Sequence, residues 1–250
     1  MQSEAPQTNV GVPSNRLSPL WLVCLGSGLV AGLLAALGGE LTYDKLHADP
    51  EYPSSIDSLS GSERAIARAQ IRFKTKVFVE TRQAAAAIGM LGLALGIALG
   101  LTGALAAGSQ RVSLVGGFIG GVSGALVGAG LSMLLVPVFF DVSNSQTGLP
   151  FLFLTHLAIL AGVGAAGGLA LGWSLGDRKV IVRCMIGGIV GALVGTLAFE
   201  VINFVAFPNM RTFEPVPVKT IPRIIMHLLV AAGIGIFAGR SAGKAGLVRS

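Results

Sequence analysis

The chain has 250 residues, 52% of them hydrophobic and only 12% charged, with 36 glycines and a formal charge of +6; its mean hydropathy is +0.75. Soluble domains carry about 25% charged residues, and here no ionisable side chain occurs between Gln83 and Gln110 or from Val112 to Phe140. An ordinary soluble fold is thereby excluded, and the basic balance points to orientation in a membrane and to anionic lipid headgroups rather than to nucleic acid.

Residues 1–18 are rich in Ser, Pro, Asn and Gln and read as a disordered polar tail. A first apolar segment covers 19–39. Arg16 precedes it and small residues end it, as in a signal peptide, but it exceeds the usual apolar core of about 7–15 residues and is read as a transmembrane helix. An extramembrane stretch, 40–83, follows. It begins as an acidic, Pro/Ser-rich loop and continues as an amphipathic helix over 62–82. Arg64, Arg68, Arg72 and Lys76 recur every four residues and form a basic stripe, suited either to lipid phosphates, with the stems snorkelling, or to solvent as a cap on a bundle.

The region 84–239 holds five more apolar segments, at 84–107, 112–137, 150–175, 181–207 and 221–239, and a basic tail covers 240–250. Each of the longer runs exceeds the roughly 20 residues that cross a bilayer core. Pro137, Pro150, Pro208 and Pro222 sit near segment ends, and Arg223 shortens the uncharged part of the last segment. The expected class is an all-α integral membrane protein of about six transmembrane helices.

Glycine recurs at intervals of four: Gly28 and Gly32; Gly92, Gly96 and Gly100; Gly116, Gly120, Gly124 and Gly128; Gly164, Gly168, Gly172 and Gly176; Gly187, Gly191 and Gly195; Gly235 and Gly239. Residues four apart share a helix face, so each helix presents a groove into which a neighbouring backbone can settle, as in a glycine zipper. The chain also resembles itself. Residues 120–129 and 187–196 share seven of ten positions, and 156–168 and 227–239 share six of thirteen, each of the latter pair beginning His–Leu. Helical hairpins repeated in parallel are the expected architecture, with His156 matching His227 and Glu40 matching Glu200.

Six spans place both termini on one side. Eight basic residues fall in the tails and short loops of that side against three in the short loops of the other, which favours cytoplasmic termini and a plasma or inner membrane location. The basic stripe on the long loop opposes this.

Ionisable residues inside spans are costly and point to function. Helix parity puts Glu40, Asp141, His156, Glu200, Asn203 and His227 towards one membrane side, and they form the candidate polar cluster. Such groups can relay protons, bind a divalent ion or anchor helix ends. No His-x-x-x-His or similar spacing marks a metal site, and no Gly-rich loop ending in Lys-Ser/Thr marks a phosphate site, so no cofactor is expected. Ser123 lacks a Gly-x-Ser-x-Gly elbow, which disfavours intramembrane hydrolysis. Cys24 and Cys184 read as small packing residues. The sequence leads to a small-solute or ion transporter, proton-coupled, with a short sixth helix as one indication. The alternative is a non-catalytic scaffold that forms homo- or hetero-oligomers through its small-residue helix faces.

Overall fold

The structure is a computed structural model that describes residues 20–108, 110–143, 148–208 and 216–246. It contains six long α-helices: α1 (Leu20–Tyr43), α2 (Gly61–Ala106), α3 (Gln110–Ser143), α4 (Gly148–Leu175), α5 (Arg178–Ala206) and α6 (Thr220–Gly246). Among the described residues there is no strand. All six helices are long and apolar enough to cross a membrane, and hydrocarbon tolerates backbone only when its polar groups are bonded within the segment. The protein is therefore a multi-pass integral membrane protein. The tail 1–18 and residues 247–250 lie outside the described residues.

Consecutive helices pack side by side, and α1 closes the ring against α6. Two tight turns explain part of this order. Gly108 and Gly176 adopt φ of 71° and 80°, a left-handed conformation that ends α2 and α4 and lets the next helix begin after links of three and two residues. The helices fall into two layers. Of their membrane-crossing windows, 61% of α2, 61% of α4 and 56% of α6 is buried, against 33% of α1, 28% of α3 and 39% of α5. The even helices form an inner triad, and each odd helix lies in the groove between two of them. Leu34, Leu126, Leu134, Phe204 and Val205 project from the odd helices to the outside, where lipid tails would solvate them.

Glycines bring the layers together. A Cβ added to Gly92 or Gly96 would overlap the carbonyls of Gly124 and Gly120 on α3, and one on Gly100 would come within 2.8 Å of the Gly116 carbonyl. At the same interface a Cβ on Gly128 would lie 2.6 Å from the Ile88 carbonyl, and between α5 and α6 one on Gly195 would lie 2.6 Å from that of Leu229. Gly164, Gly168, Gly172, Gly187 and Gly191 likewise face backbone of the adjoining helix. Dispersion between backbones in such contact supplies the attraction that the hydrophobic effect cannot supply in lipid.

Three boundaries differ from the sequence expectations. The basic helix at 62–82 is not a separate element: α2 runs unbroken for 46 residues through the change from charged to apolar sequence, roughly 70 Å of helix. Nothing at 82–84 breaks helical hydrogen bonding, since Gln83-Ala84-Ala85-Ala86 are good helix formers. The third helix passes Pro137 and continues to Ser143; proline there removes one N–H donor without ending the helix. The sixth helix is not short. It has 27 residues and includes Arg223 near its start and Arg240 near its end, where the guanidinium lies over the Trp21 ring at 5.3 Å.

Candidate polar site at one end of the bundle

The six residues of the expected cluster all occur towards one end of the helix bundle, where α1, α3 and α5 finish and α4 and α6 begin. They do not form one cluster. Two separate groups exist, and Asp141 belongs to neither: it is exposed near the end of α3.

The first group joins α1 to α6. Arg223 donates from Nε to Glu40 Oε1 at 2.7 Å and from Nη2 to Glu40 Oε2 at 2.9 Å, and the Thr220 hydroxyl donates to Oε2 at 2.9 Å. This fork-to-fork geometry is the strong form of an arginine–carboxylate pair. The guanidinium also lies 3.6 Å from the centre of the Tyr43 ring, a cation–π contact that spreads its charge while it is buried. His227, one turn further into α6, is buried. Its Nδ1 lies 2.8 Å from the Arg223 carbonyl and its Nε2 3.4 Å from the Ala87 carbonyl of α2. Both neighbours only accept, so a neutral imidazole, with its single N–H, donates to one of these two backbone carbonyls at a time.

The second group joins α4 to α5. His156 Nδ1 lies 3.4 Å from Glu200 Oε1. The imidazole is flanked by Phe139 of α3, whose ring centre is 6.4 Å away, and Phe139 in turn packs edge-on against Phe140. Asn203 is buried on α5, but it follows the face of Gly187, Gly191 and Gly195 that meets α6, and its Oδ1 has no hydrogen-bond partner among the described residues.

The basic stripe is engaged by the loop that precedes it. Arg64 donates to the Leu59 carbonyl at 3.2 Å and to the Asp57 carbonyl. Arg68 pairs with the Asp57 carboxylate at 3.3 Å, and Arg72 donates to the Tyr52 hydroxyl at 2.7 Å. Lys76 pairs with Glu80 at 3.4 Å and lies over the Phe140 ring. Beside it opens a cavity of about 470 Å³ between loop and α2, lined by Tyr43, His47, Arg72, Lys76, Glu80 and Gln83. Gln83 closes one wall by donating to the Tyr43 carbonyl at 3.1 Å.

Sequence reasoning missed Arg223 as the partner of Glu40, treating it as a residue that trims a span. The signal was present: a cation inside an apolar helix needs a buried anion, and Glu40 is the acid at the end of a span that helix parity places beside it. Among the described residues, no three His, Cys, Asp or Glu side chains gather in a way that would hold a metal ion. Comparison with protein-family models, with curated proteins and with solved structures finds no match for this chain.

Proposed function

We propose that this protein is a proton-coupled transporter of a small solute or ion, with His156 and Glu200 as its coupling pair. The observation that carries this reading is an imidazole and a carboxylate 3.4 Å apart on different helices within membrane-crossing segments. Ionisable groups are retained at such positions at a cost in insertion, and a proton relay is one use that repays it. The buried, unpartnered carbonyl oxygen of Asn203 adds a second polar group at the same end of α5. Glycine-zipper packing and parallel hairpin repeats fit the same reading, since transporters are commonly built from internal repeats. With the termini in the cytoplasm, this polar end faces away from it.

The scaffold alternative depends on small-residue faces being open to partners. Most of the glycines that would make those faces meet backbone of this same chain, so the observations favour transport. The test is flux. Purified protein in liposomes carrying an internal pH dye should dissipate an imposed pH gradient faster than empty vesicles, and Glu200→Gln should return the rate to that of empty vesicles. Equal rates for protein-containing and empty vesicles, across a panel of monovalent and divalent ions and small organic solutes, would remove the reading.

A further inference from the structure

The two ion pairs occupy equivalent places in a repeated helix-pair unit. Consider first α4 against α5. Cβ atoms placed on Gly172, Gly168 and Gly164 would meet Ile181, Cys184 and Gly188, and one further along the same faces His156 meets Glu200. Now consider α6 against α1. Cβ atoms on Gly239, Gly235 and Gly28 would meet Trp21, Cys24 and Ala231, and Arg223 meets Glu40. Every contact in the second set is displaced from the first by the same offsets along each chain segment. From Gly168 back to His156 is the same twelve residues as from Gly235 back to Arg223, and from Cys184 to Glu200 the same sixteen as from Cys24 to Glu40. Both cysteines are fully buried.

The side-chain environments agree as well. In one unit the cation carrier is 8% exposed and its carboxylate 22%; in the other they are 6% and 26%. The match between His156 and His227 expected from sequence is thus out by one helical turn: the structural counterpart of His156 is Arg223. A third copy exists between α2 and α3, where Gly96 meets Gly120 and Gly100 meets Gly116. Gly167 of α4 touches both Leu99 of α2 and Ile234 of α6, which puts the three inner helices in register. The positions that correspond to the ion pairs are Ile88 and Ser132, both buried, with the serine hydroxyl turned to its own helix at the Gly128 carbonyl.

We infer that one structural unit serves three ends in this chain: two buried uncharged residues at Ile88 and Ser132, a permanent clamp at Arg223–Glu40, and a site that binds and releases a proton at His156–Glu200. The chemistry follows from the residue that each unit carries. A guanidinium keeps its charge throughout the physiological range, so the clamp is always an ion pair. An imidazole ordinarily gains and loses its proton between about pH 5 and 8. With both ring nitrogens protonated, His156 is a cation whose Nδ1 side faces the Glu200 carboxylate at 3.4 Å. When one proton leaves, the charge–charge attraction between α4 and α5 at this end is lost, and a ring that keeps its Nδ1 proton retains a hydrogen bond alone. The charged and titratable groups on the other helices packed against α4 at this end are Asp141 on α3, Lys76 and Glu80 on α2, and Arg223 and His227 on α6. Lys76 is paired with Glu80 and Arg223 with Glu40, and Glu200 is a carboxylate in contact with His156.

The third of these ends rests on the transport reading, which the equivalence of clamp and coupling pair goes beyond, and the test does not depend on flux. The full chain, labelled with ¹⁵N-histidine and held in detergent micelles, is titrated from pH 5 to 8.5. Resonances are assigned by their loss in His47→Gln, His156→Gln and His227→Gln. The His156 resonances should change between cationic and neutral forms within that window, and Glu200→Gln should alter that change while Glu40→Gln leaves it as it is. Arg223→His should introduce a new imidazole whose resonances respond to Glu40→Gln and not to Glu200→Gln. A His156 ring that keeps one protonation state throughout, or whose transition ignores Glu200→Gln, overturns the inference. Should Glu200→Gln fail to fold, Glu200→Asp and the Arg223→His chain supply the same comparison. Titration with no flux in liposomes would sink transport alone; flux that survives His156→Gln, with no titration, would sink the proton site.

Discussion

The glycine contacts between α2 and α3 allow the sharpest energetic prediction. In Gly96→Ala the new Cβ falls on the carbonyl group of Gly120 and the amide nitrogen of Gly121. All of these are backbone atoms of a helix, and none can rotate aside. The two helices must separate locally. A gap of 0.5–1 Å forfeits about a quarter to a half of each dispersion contact, so roughly 20 atom pairs at about 0.15 kcal/mol each lose ~1 kcal/mol. Strain in the helices brings the total to the upper half of the range of about 1–3 kcal/mol for overpacked cores. The better helix propensity of alanine returns up to ~1 kcal/mol, leaving a net loss of about 1–2 kcal/mol. Gly26 and Gly130 make the comparison informative, because a Cβ there meets nothing within 4 Å. Gly130→Ala should therefore stabilise the protein, by up to ~1 kcal/mol. Unfolding by SDS from dodecyl maltoside micelles, followed by circular dichroism, measures both. If Gly96→Ala and Gly130→Ala shift the midpoint in the same direction by similar amounts, the contacts described here do not hold the bundle together.

Arg223→Gln removes both hydrogen bonds to Glu40 and should cost about 3 kcal/mol, the low end for breaking a buried pair, because Glu40 retains some exposure; Arg223→Lys should lose less in the same SDS titration. Cys24 and Cys184 are fully buried, so a membrane-permeant maleimide should label neither in the folded protein and both after transfer to SDS, with rapid labelling in the folded state counting against the packing of α1 and α5. Ser60 and Glu63 form a capping box at the start of α2, in which the Ser60 amide and hydroxyl both donate to the Glu63 carboxylate. Ser60→Ala should raise amide exchange over residues 61–64 and leave the membrane-crossing half of α2 unchanged; equal exchange in the two chains would mean that the cap does not hold that end.

The helices were legible in the sequence because the feature that defines them, long runs without charge, is local. Their ends were less so. The charged and apolar halves of α2 look like two elements because their compositions differ, yet helical hydrogen bonding depends on propensity, which does not change at Gln83. Arg223 looked like an interruption of α6 because the cost of burying it is visible locally and the carboxylate that offsets that cost lies 183 residues away. The polar cluster shows the same limit. Helix parity gathers Glu40, His156, Glu200 and His227 at one end, but which faces meet is set by rotation of each helix, and that depends on the glycine contacts. Gly/Ala-rich helices match one another in several registers, so likeness between segments does not by itself say which residues are equivalent. The layering of inner and outer helices had no counterpart in the sequence reading, since every helix is apolar enough to face either lipid or protein.

The helices cross a membrane in alternation, so that the ion-pair end and the Gly108–Gly176 turn end should lie on opposite faces. In a Cys24→Ala/Cys184→Ala background, Ser54→Cys and Lys219→Cys mark one end, and Ala107→Cys and Arg178→Cys the other. An impermeant maleimide applied to sealed right-side-out vesicles should label one pair and spare the other, with the pattern reversed in inverted vesicles. Labelling of all four positions from the same face would contradict the topology, and the polar site would go with it.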